Sequence, residues 1–498
     1  MGDDIKTSRQ NITHYIKIII GLVICFAFWL SPPFSHMTVG GMKVIGIFLA
    51  VLVLVTVDEI EWASIFGIAM MAFTIPEIFP DYTGVGIYRI MEMSFGFWLI
   101  PFIIANLLLC YALQETGVIK RVSYWFLRRP IAQRSPWHFT FFFLVAALFV
   151  GCWMDTTTSF IFFVGIAHSI FKELGYKKGD TFPAMLLGAL CVTLMLTFAM
   201  TPISHGSMMT ALGLIQGLAQ APLNILTFMI IGIPVGVVLF IGVFFLFKKF
   251  YKVDVSIFEK ADLKKIIGEK TPVTKREKWS ATIFIIVVFL WLFSGALNIS
   301  VPTAALTVFF NRITLVTPAA FGVILMLIIR VEGRPLLSFE KAARGGGVVW
   351  NIMLFLSCMM MMSTMVSDPG TGFTATISSA LQPLINSGIS PFMLMFFIAI
   401  VAAVLTNFMN NIPIMILFLN VCIPLAPQLG VSGVAIGMTV TIASQMAFAT
   451  PAAFATSTIL FADEWAIRKN IYKLGFINMA WTAIAVGLIA FAWASIFV

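Results

Sequence analysis

The chain has 498 residues, 60% of them hydrophobic and only 11% charged, with a mean hydropathy of +1.01. That balance excludes an ordinary water-soluble globular protein, and repeated apolar runs near the length that crosses about 30 Å of hydrocarbon imply a polytopic α-helical membrane protein. The net charge of +9 belongs to short basic segments beside the apolar runs, where the positive-inside rule puts them, so it reports topology and no nucleic acid is expected.

In chain order, Lys6, Arg9 and Lys17 flank the first apolar run, whereas residues 31–42 carry no Lys or Arg, which predicts a cytoplasmic N-terminus. No small-residue cleavage pattern follows, so this run is expected to be a retained helix and not a signal peptide. A second run over 43–57 returns inside, and Asp58, Glu59 and Glu61 mark a tight turn into a third that ends near Pro76 and Pro80. A fourth, 94–113, meets Lys120, Arg121, Arg128, Arg129 and Arg134, a cytoplasmic stretch.

The run 137–171 lies between that stretch and Lys172, Lys177 and Lys178, so both of its ends are predicted inside. Split at Asp155, its arms have roughly 16 to 18 residues, or about 24–27 Å each at about 1.5 Å per residue, which is marginal for a full crossing. The alternatives are two short crossings joined by a polar turn or a re-entrant hairpin, and the hairpin is favoured because irregular polar backbone at depth is tolerated where it lines a cavity. Its tip, Trp153-Met154-Asp155-Thr156-Thr157-Thr158-Ser159, puts a carboxylate and four hydroxyls at membrane depth, where they are costly unless they bind something.

Residues 181–222 are too many for one simple span and are interrupted at Met200-Thr201-Pro202-Ile203-Ser204-His205-Gly206-Ser207. Two readings stand: an unwound break that offers N–H groups and carbonyls to ions, or a kink repaired locally by hydroxyls. Residues 223–247 cross back to Lys248 and Lys249. The segment 248–278 then holds ten Lys or Arg against five acids, a cytoplasmic linker between two halves.

The second half crosses outward by Asn298 and returns to Arg330, Arg334, Lys341 and Arg344. No Lys or Arg lies between Arg344 and Arg468, so a second hairpin over 391–425, with Phe408-Met409-Asn410-Asn411-Ile412-Pro413 at its tip, is expected to enter from outside. The next run, 431–461, contains Phe448-Ala449-Thr450-Pro451, to be set beside Phe198-Ala199-Met200-Thr201-Pro202. Asp155 and Asn410 are 255 residues apart and Thr201 and Thr450 are 249 apart, two matches at nearly one offset. Hairpins opening to opposite sides predict an inverted-topology repeat. The expected organisation is an N-terminal extra helix (1–39), a first repeat (40–248), the basic linker (249–278) and a second repeat (279–498) whose last helix ends outside. The six cysteines all sit in apolar segments without metal-type spacing and read as small buried hydrophobes.

Two polar-tipped hairpins, each followed by an interrupted helix carrying Thr-Pro, resemble the divalent-anion/sodium symporter family of the ion-transporter superfamily over roughly residues 40–498. The family's Ser-Asn-Thr tip falls on Asp155-Thr156-Thr157 and on Asn410-Asn411-Ile412, after Leu405-Thr406-Asn407-Phe408-Met409. Its Thr-Pro breaks fall on Thr201-Pro202 and Thr450-Pro451, and Ala112-Leu113-Gln114-Glu115-Thr116-Gly117 is similar to the family's segment before a basic stretch. The resemblance implies an all-α protein with about 11 transmembrane helices plus two re-entrant hairpins, built as an elevator-type homodimer of scaffold and transport domains in the plasma membrane. It implies Na+ held near Asp155, Thr157, Thr201, Asn411 and Thr450, and a small anion bound by Thr156, Thr157, Asn410, Asn411, Thr201, Pro202, Thr450, Pro451 and His205. The departures are specific. Only Thr157 and Asn411 keep the family's residue type at the tips; its Gly-Thr-Pro-Pro-Asn reads Ser204-His205-Gly206-Ser207-Met208; and the Asn after the second Thr-Pro is replaced in Ala452-Ala453.

Asp155 is the most informative departure, because two like unit charges at 4 Å cost about 4 kcal/mol at an effective dielectric of 20. It either binds a cation directly, titrates in proton coupling, faces a substrate that is not a dianion, or simply caps the second hairpin arm. The tip hydroxyls and amides both donate and accept, so they suit a carboxylate or Na+ without fixed charge. His205 either titrates and donates to substrate or is a buried, neutral, hydrogen-bonded imidazole. The run Met359 to Met362 reads as packing. The expected function is Na+-coupled symport of a di- or tricarboxylate, with sulfate as another substrate class; a cation/proton antiporter or an anion exchanger is the alternative. A membrane-embedded enzyme is remote, since no Gly-x-Ser-x-Gly, His-Glu-x-x-His or P-loop motif is present.

Overall fold

A computed structural model describes residues 2–57, 60–251, 253–259, 272–345 and 347–498. Asp58 and Glu59 of the predicted turn, and residues 252 and 260–271 of the predicted linker, lie outside the described residues. Among the described residues, six helices are long and apolar enough to cross a membrane, or eight if each of two bent pairs is one span. The chain is an all-α polytopic membrane protein; a two-residue ladder pairing Arg330–Val331 with Arg334–Pro335 is its one described sheet.

The N-terminal part stacks α1 (Gly2–Leu30) on α2 (Val39–Val57) and α2 on α3 (Ile60–Ala72). Helix α4 (Leu99–Glu115) then turns by 64° into α5 (Val118–Leu127). The first hairpin follows as α6 (Pro136–Gly151) and α7 (Thr156–Leu174), and the first interrupted helix as α8 (Thr181–Met200) and α9 (Gly206–Ala219). Helix α10 (Ile225–Phe245) closes the first half. The second half runs through α11 (Lys275–Ser300), a pair bent by 64°, α12 (Ala305–Ile313) and α13 (Val316–Ile328), then α14 (Trp350–Ser367) and α15 (Phe373–Asn386). The second hairpin is α16 (Pro391–Leu405) and α17 (Asn411–Cys422), the second interrupted helix α18 (Gly433–Ser444) and α19 (Ala455–Ala462), and α20 (Arg468–Phe497) ends the chain.

Local chemistry explains these boundaries. Both hairpins open on Ser-Pro: Ser135 accepts from the His138 N–H and Ser390 from the Met393 N–H, each at 3.3 Å, while proline at the first helical position fixes φ where its missing N–H is harmless. The helix before each hairpin starts after a left-handed glycine, Gly117 (φ 87°) and Gly372 (φ 70°), and each hairpin's exit is closed by another, Gly175 (φ 79°) and Gly430 (φ 63°). A side chain with a Cβ is disfavoured in that region. All these pairs are separated by 255 residues, as are Asp155 and Asn410 (372 − 117 = 430 − 175 = 410 − 155 = 255).

Helix α8 is apolar all round and buried from residue 182 to 200, as a helix without a polar face must be when it lies at the centre. It packs against both hairpin arms α6 and α7, against α10 and against α20. Met359, Met360, Met361 and Met362 are 0–2% exposed within α14, and all six cysteines are buried and unbridged, so both groups serve as packing.

Candidate functional site

The first tip is four residues long, 152–155, and Asp155 caps α7. One carboxylate oxygen, Oδ2, accepts from the Thr158 N–H at 2.9 Å and from the Thr158 hydroxyl at 3.1 Å. The other, Oδ1, points toward the first break and lies 3.7 Å from His205 Nε2. His205 is buried, its Nδ1 2.8 Å from the Ser207 hydroxyl and accepting from the Ser207 N–H at 3.2 Å. With Nδ1 acting as an acceptor, the hydrogen-bond network assigns the imidazole proton to Nε2, on the side of Asp155.

The first break, 201–205, is a Pro202–Ser204 single turn rather than a simple kink. The Thr201 hydroxyl accepts from the Ile203 N–H at 3.2 Å, the Ser204 hydroxyl donates to the Thr201 carbonyl at 3.1 Å, and Asn106 of α4 donates to the Ile203 carbonyl at 3.0 Å. Pro202 is buried beside them. Hydroxyl repair and an unwound break therefore coexist here. Thr157 is half-buried at the tip, whereas Thr156 and Ser159 are fully buried and their hydroxyl oxygens have no hydrogen-bond partner among the described residues.

The second tip is built differently. Asn410 caps α17, its side chain accepting from the Ile412 N–H at 3.0 Å. Asn407 makes four bonds: its amide donates to the carbonyls of Ala403 and Met446, each at 2.7 Å, and its oxygen accepts from the N–H groups of Phe448 (2.9 Å) and Ala449 (2.7 Å). Thr406 donates to the Ser444 carbonyl at 2.5 Å and Thr450 to the Asn407 carbonyl. Asn411 donates to Gln445 at 2.5 Å and leaves its own carbonyl oxygen buried without a partner. Pro451 is half-buried, its carbonyl accepting from the Thr458 hydroxyl at 2.7 Å. The second tip and the second break, 445–454, are thus sewn together through side chains.

The two breaks meet at an aromatic contact. The His205 ring lies 5.1 Å from Phe198 of α8 and 5.6 Å from Phe454, the last residue of the second break, with Phe198 and Phe454 5.5 Å apart. The predicted residues thus divide into two sets, Asp155 with His205, and Asn410, Asn411 and Thr450 around Asn407, joined through Phe454. Buried oxygens without partners, Thr156 Oγ1, Ser159 Oγ and Asn411 Oδ1, together with Asp155 Oδ1, are the hard donors an alkali cation takes. Among the described residues no group of three or more His, Cys, Asp or Glu gathers for a transition metal.

The model of the citrate transporter family (CitMHS) matches residues 50–443, covering both tips and the first break. The chain belongs to the citrate transporter family. Na(+)/dicarboxylate cotransporter 3 of Rattus norvegicus is 28% identical over 163 residues, 33% of this chain and 26% of that protein. The proteins of the same name from Homo sapiens and Mus musculus match to the same extent. The matched stretch spans about a quarter of the length of these curated relatives. The resemblance read from the tips and Thr-Pro breaks holds at the level of family.

Several residues that shape the site were not singled out from the sequence. Gln445, Phe454 and Asn106 lie in stretches that read as apolar runs, and Ser207 was quoted only as part of the first interruption; only the fold shows what they touch. Asn407 and Thr406 carried a signal, two polar residues just ahead of the tip, of the same kind that exposed the tip itself.

Proposed function

We propose that this chain is a Na+-coupled symporter of a small di- or tricarboxylate, with sulfate as a further candidate, working by an elevator movement of the two tip-and-break units as a homodimer in the plasma membrane. The carrying observation is that the buried hydroxyls of Thr156 and Ser159, in the first turn of the helix that Asp155 caps, and at the other tip the amide oxygen of Asn411, have no hydrogen-bond partner among the described residues: hard donors for a cation at each tip, with neutral hydroxyls and amides suited to a carboxylate. Na+ falls to Asp155, Thr157, Thr201, Asn411 and Thr450, and the anion to Thr156, Thr157, Asn410, Asn411, His205 and the two Thr-Pro turns. A cation at Asp155 removes the like-charge repulsion that the bare carboxylate would impose on an anion.

The matched glycines and caps at 255-residue spacing support an internal duplication with halves 40–248 and 279–498. The distribution of Lys and Arg supports inverted halves, a cytoplasmic N-terminus and an outer C-terminus. The test is uptake of labelled citrate, succinate and sulfate into proteoliposomes with imposed Na+ or pH gradients. Concentrative uptake driven by an inward Na+ gradient is expected; uptake of every anion independent of any gradient would overturn the reading.

One observation favours a second reading, cation/proton antiport or proton-coupled anion transport. Asp155 and His205 place an acceptor oxygen and an N–H 3.7 Å apart in a buried site, a pair able to pass a proton. Na+ efflux driven by a pH gradient with no anion present would select it.

A further inference from the structure

Beside the first tip lies a second, chemically opposite feature. A groove of about 310 Å³ is bounded by α5, the end of α6 and α11, and all eleven of its lining residues are apolar. Val122 forms one wall, Phe149 and Trp153 a second, and Ala281, Phe284 and Val288 the third. Trp153 stands edge-on to Phe284 at 6.3 Å and is two residues from Asp155. The groove's rim opens toward the membrane, since Phe149 is 46% and Ile285 65% exposed.

The helix that forms one wall of the groove begins a basic stretch. Residues 120–134 hold Lys120, Arg121, Arg128, Arg129 and Arg134 with no acidic residue. Arg121 is engaged with Glu277 at 2.7 and 3.0 Å and with the Pro272 carbonyl at 2.9 Å, which pins α5 to the start of α11 and closes the groove's back. Lys120 and Arg129 remain exposed, and Arg129 stacks 3.5 Å above Trp125, a half-exposed indole of the kind that anchors at the headgroup level. Phe126, next to it, packs 5.5 Å from Phe149 of the groove wall. An apolar channel walled by a helix that carries exposed cations, with the nearby acid Glu277 already taken by Arg121, is matched by a ligand with a hydrocarbon chain and an anionic head.

We infer that this groove is a specific site for one acyl chain of an anionic phospholipid, whose headgroup lies against Lys120 and Arg129 and whose chain end reaches Trp153. The lipid lies along the outer flank of the first hairpin tip and is distinct from the polar site, so the inference does not rest on the identity of the transported anion.

The test uses the purified full-length protein with a phosphatidylglycerol carrying a diazirine in its acyl chain, cross-linked by light and mapped by mass spectrometry. Labelling of peptides containing Trp153 and Phe284 is expected to saturate and to fall at least five-fold with excess unlabelled phosphatidylglycerol, but less than two-fold with equal phosphatidylcholine. Ala281→Phe, which fills the groove, is expected to abolish that labelling while leaving labelling of α13 unchanged, and Lys120→Gln with Arg129→Gln to equalise the two competitors. Labelling at the groove that does not saturate, or that both lipids compete equally in the unaltered protein, marks an ordinary boundary lipid and overturns the proposal. The competition experiment needs no variant, so it decides the matter even if Ala281→Phe fails to fold.

Discussion

The two tips occupy equivalent places 255 residues apart and are held in opposite ways. At the second, Thr406 and Asn407 make five side-chain hydrogen bonds, four of them to residues 444–449 where the second interrupted helix breaks and one, from Asn407 to the Ala403 carbonyl, back to its own helix. The same positions at the first tip are Gly151 and Cys152 (406 − 255 = 151 and 407 − 255 = 152), which form no such bonds among the described residues. Gly151 instead lies flat on α8, where a Cβ would come within 2.7 Å of Leu194 and 2.9 Å of Thr197. The first tip and break therefore keep a carboxylate, an imidazole and two hydroxyls without partners among the described residues, whereas the second uses most of its polar groups to fasten itself and leaves only the Asn411 amide oxygen so placed. One unit is pre-organised structure, the other is available chemistry.

The largest break in this contrast is expected from Asn407→Ala. It strands two buried N–H groups and two carbonyl contacts and should lower stability by about 2–4 kcal/mol, using modest membrane values per bond plus the cost of unpaired groups. Cys152→Ala at the equivalent place should cost about 1 kcal/mol or less. Thermal unfolding of the two variants in detergent compares them, and equal losses would remove the asymmetry.

Next comes the double variant Thr156→Ala with Ser159→Ala. Because neither hydroxyl has a partner among the described residues, basal stability should change little, within about 0.5 kcal/mol. The stabilisation expected of Na+ in the unaltered protein if it binds as proposed, about 2.7 kcal/mol at 100 times its Kd, should vanish. A variant that unfolds earlier but still responds to Na+ would assign the hydroxyls to structure.

Asp155 separates capping from charge. Asp155→Asn keeps an acceptor for the Thr158 N–H and should change stability little, whereas Asp155→Ala should lose about 1 kcal/mol of cap. Both should abolish cation-coupled uptake. If Asn transports normally, the carboxylate is only a cap. His205→Gln, which keeps a donor and an acceptor but has no titrating group, is expected to flatten the pH profile of uptake.

The smallest effect concerns the clasp between the halves. Lys178 donates to Glu464 at 2.6 Å, and that hydrogen bond holds the Glu464 carboxyl below its usual 4.5. A depressed carboxylate contributes fully above its unfolded value and fades only as pH falls through the lower folded value. Glu464→Gln should therefore leave unfolding temperatures indistinguishable from the parent's between pH 5 and 8 beyond a small constant offset, since the pair is exposed and screened.

Hydrophobic length, the placement of Lys and Arg and the spacing of polar interruptions determined a good deal by themselves: the membrane-spanning helical class, the hairpin tips at Asp155 and Asn410, and the breaks at Thr201 and Thr450; the family came from the resemblance of those motifs. These are local properties, because hydrocarbon admits polar backbone only where the sequence supplies a reason for it. Helix number was less legible. Arms of 12 to 19 residues and pairs bent by 64° blur the length rule that counts spans. What only the tertiary structure decided is which polar groups are spent and which are left. That His205 faces Asp155, that Gln445 takes the amide of Asn411, and that Asn407 binds a break some forty residues onward depend on how buried helices are brought together. A hydrogen bond's partner is fixed by geometry within about 3 Å, and no periodicity in one strand of sequence carries that distance.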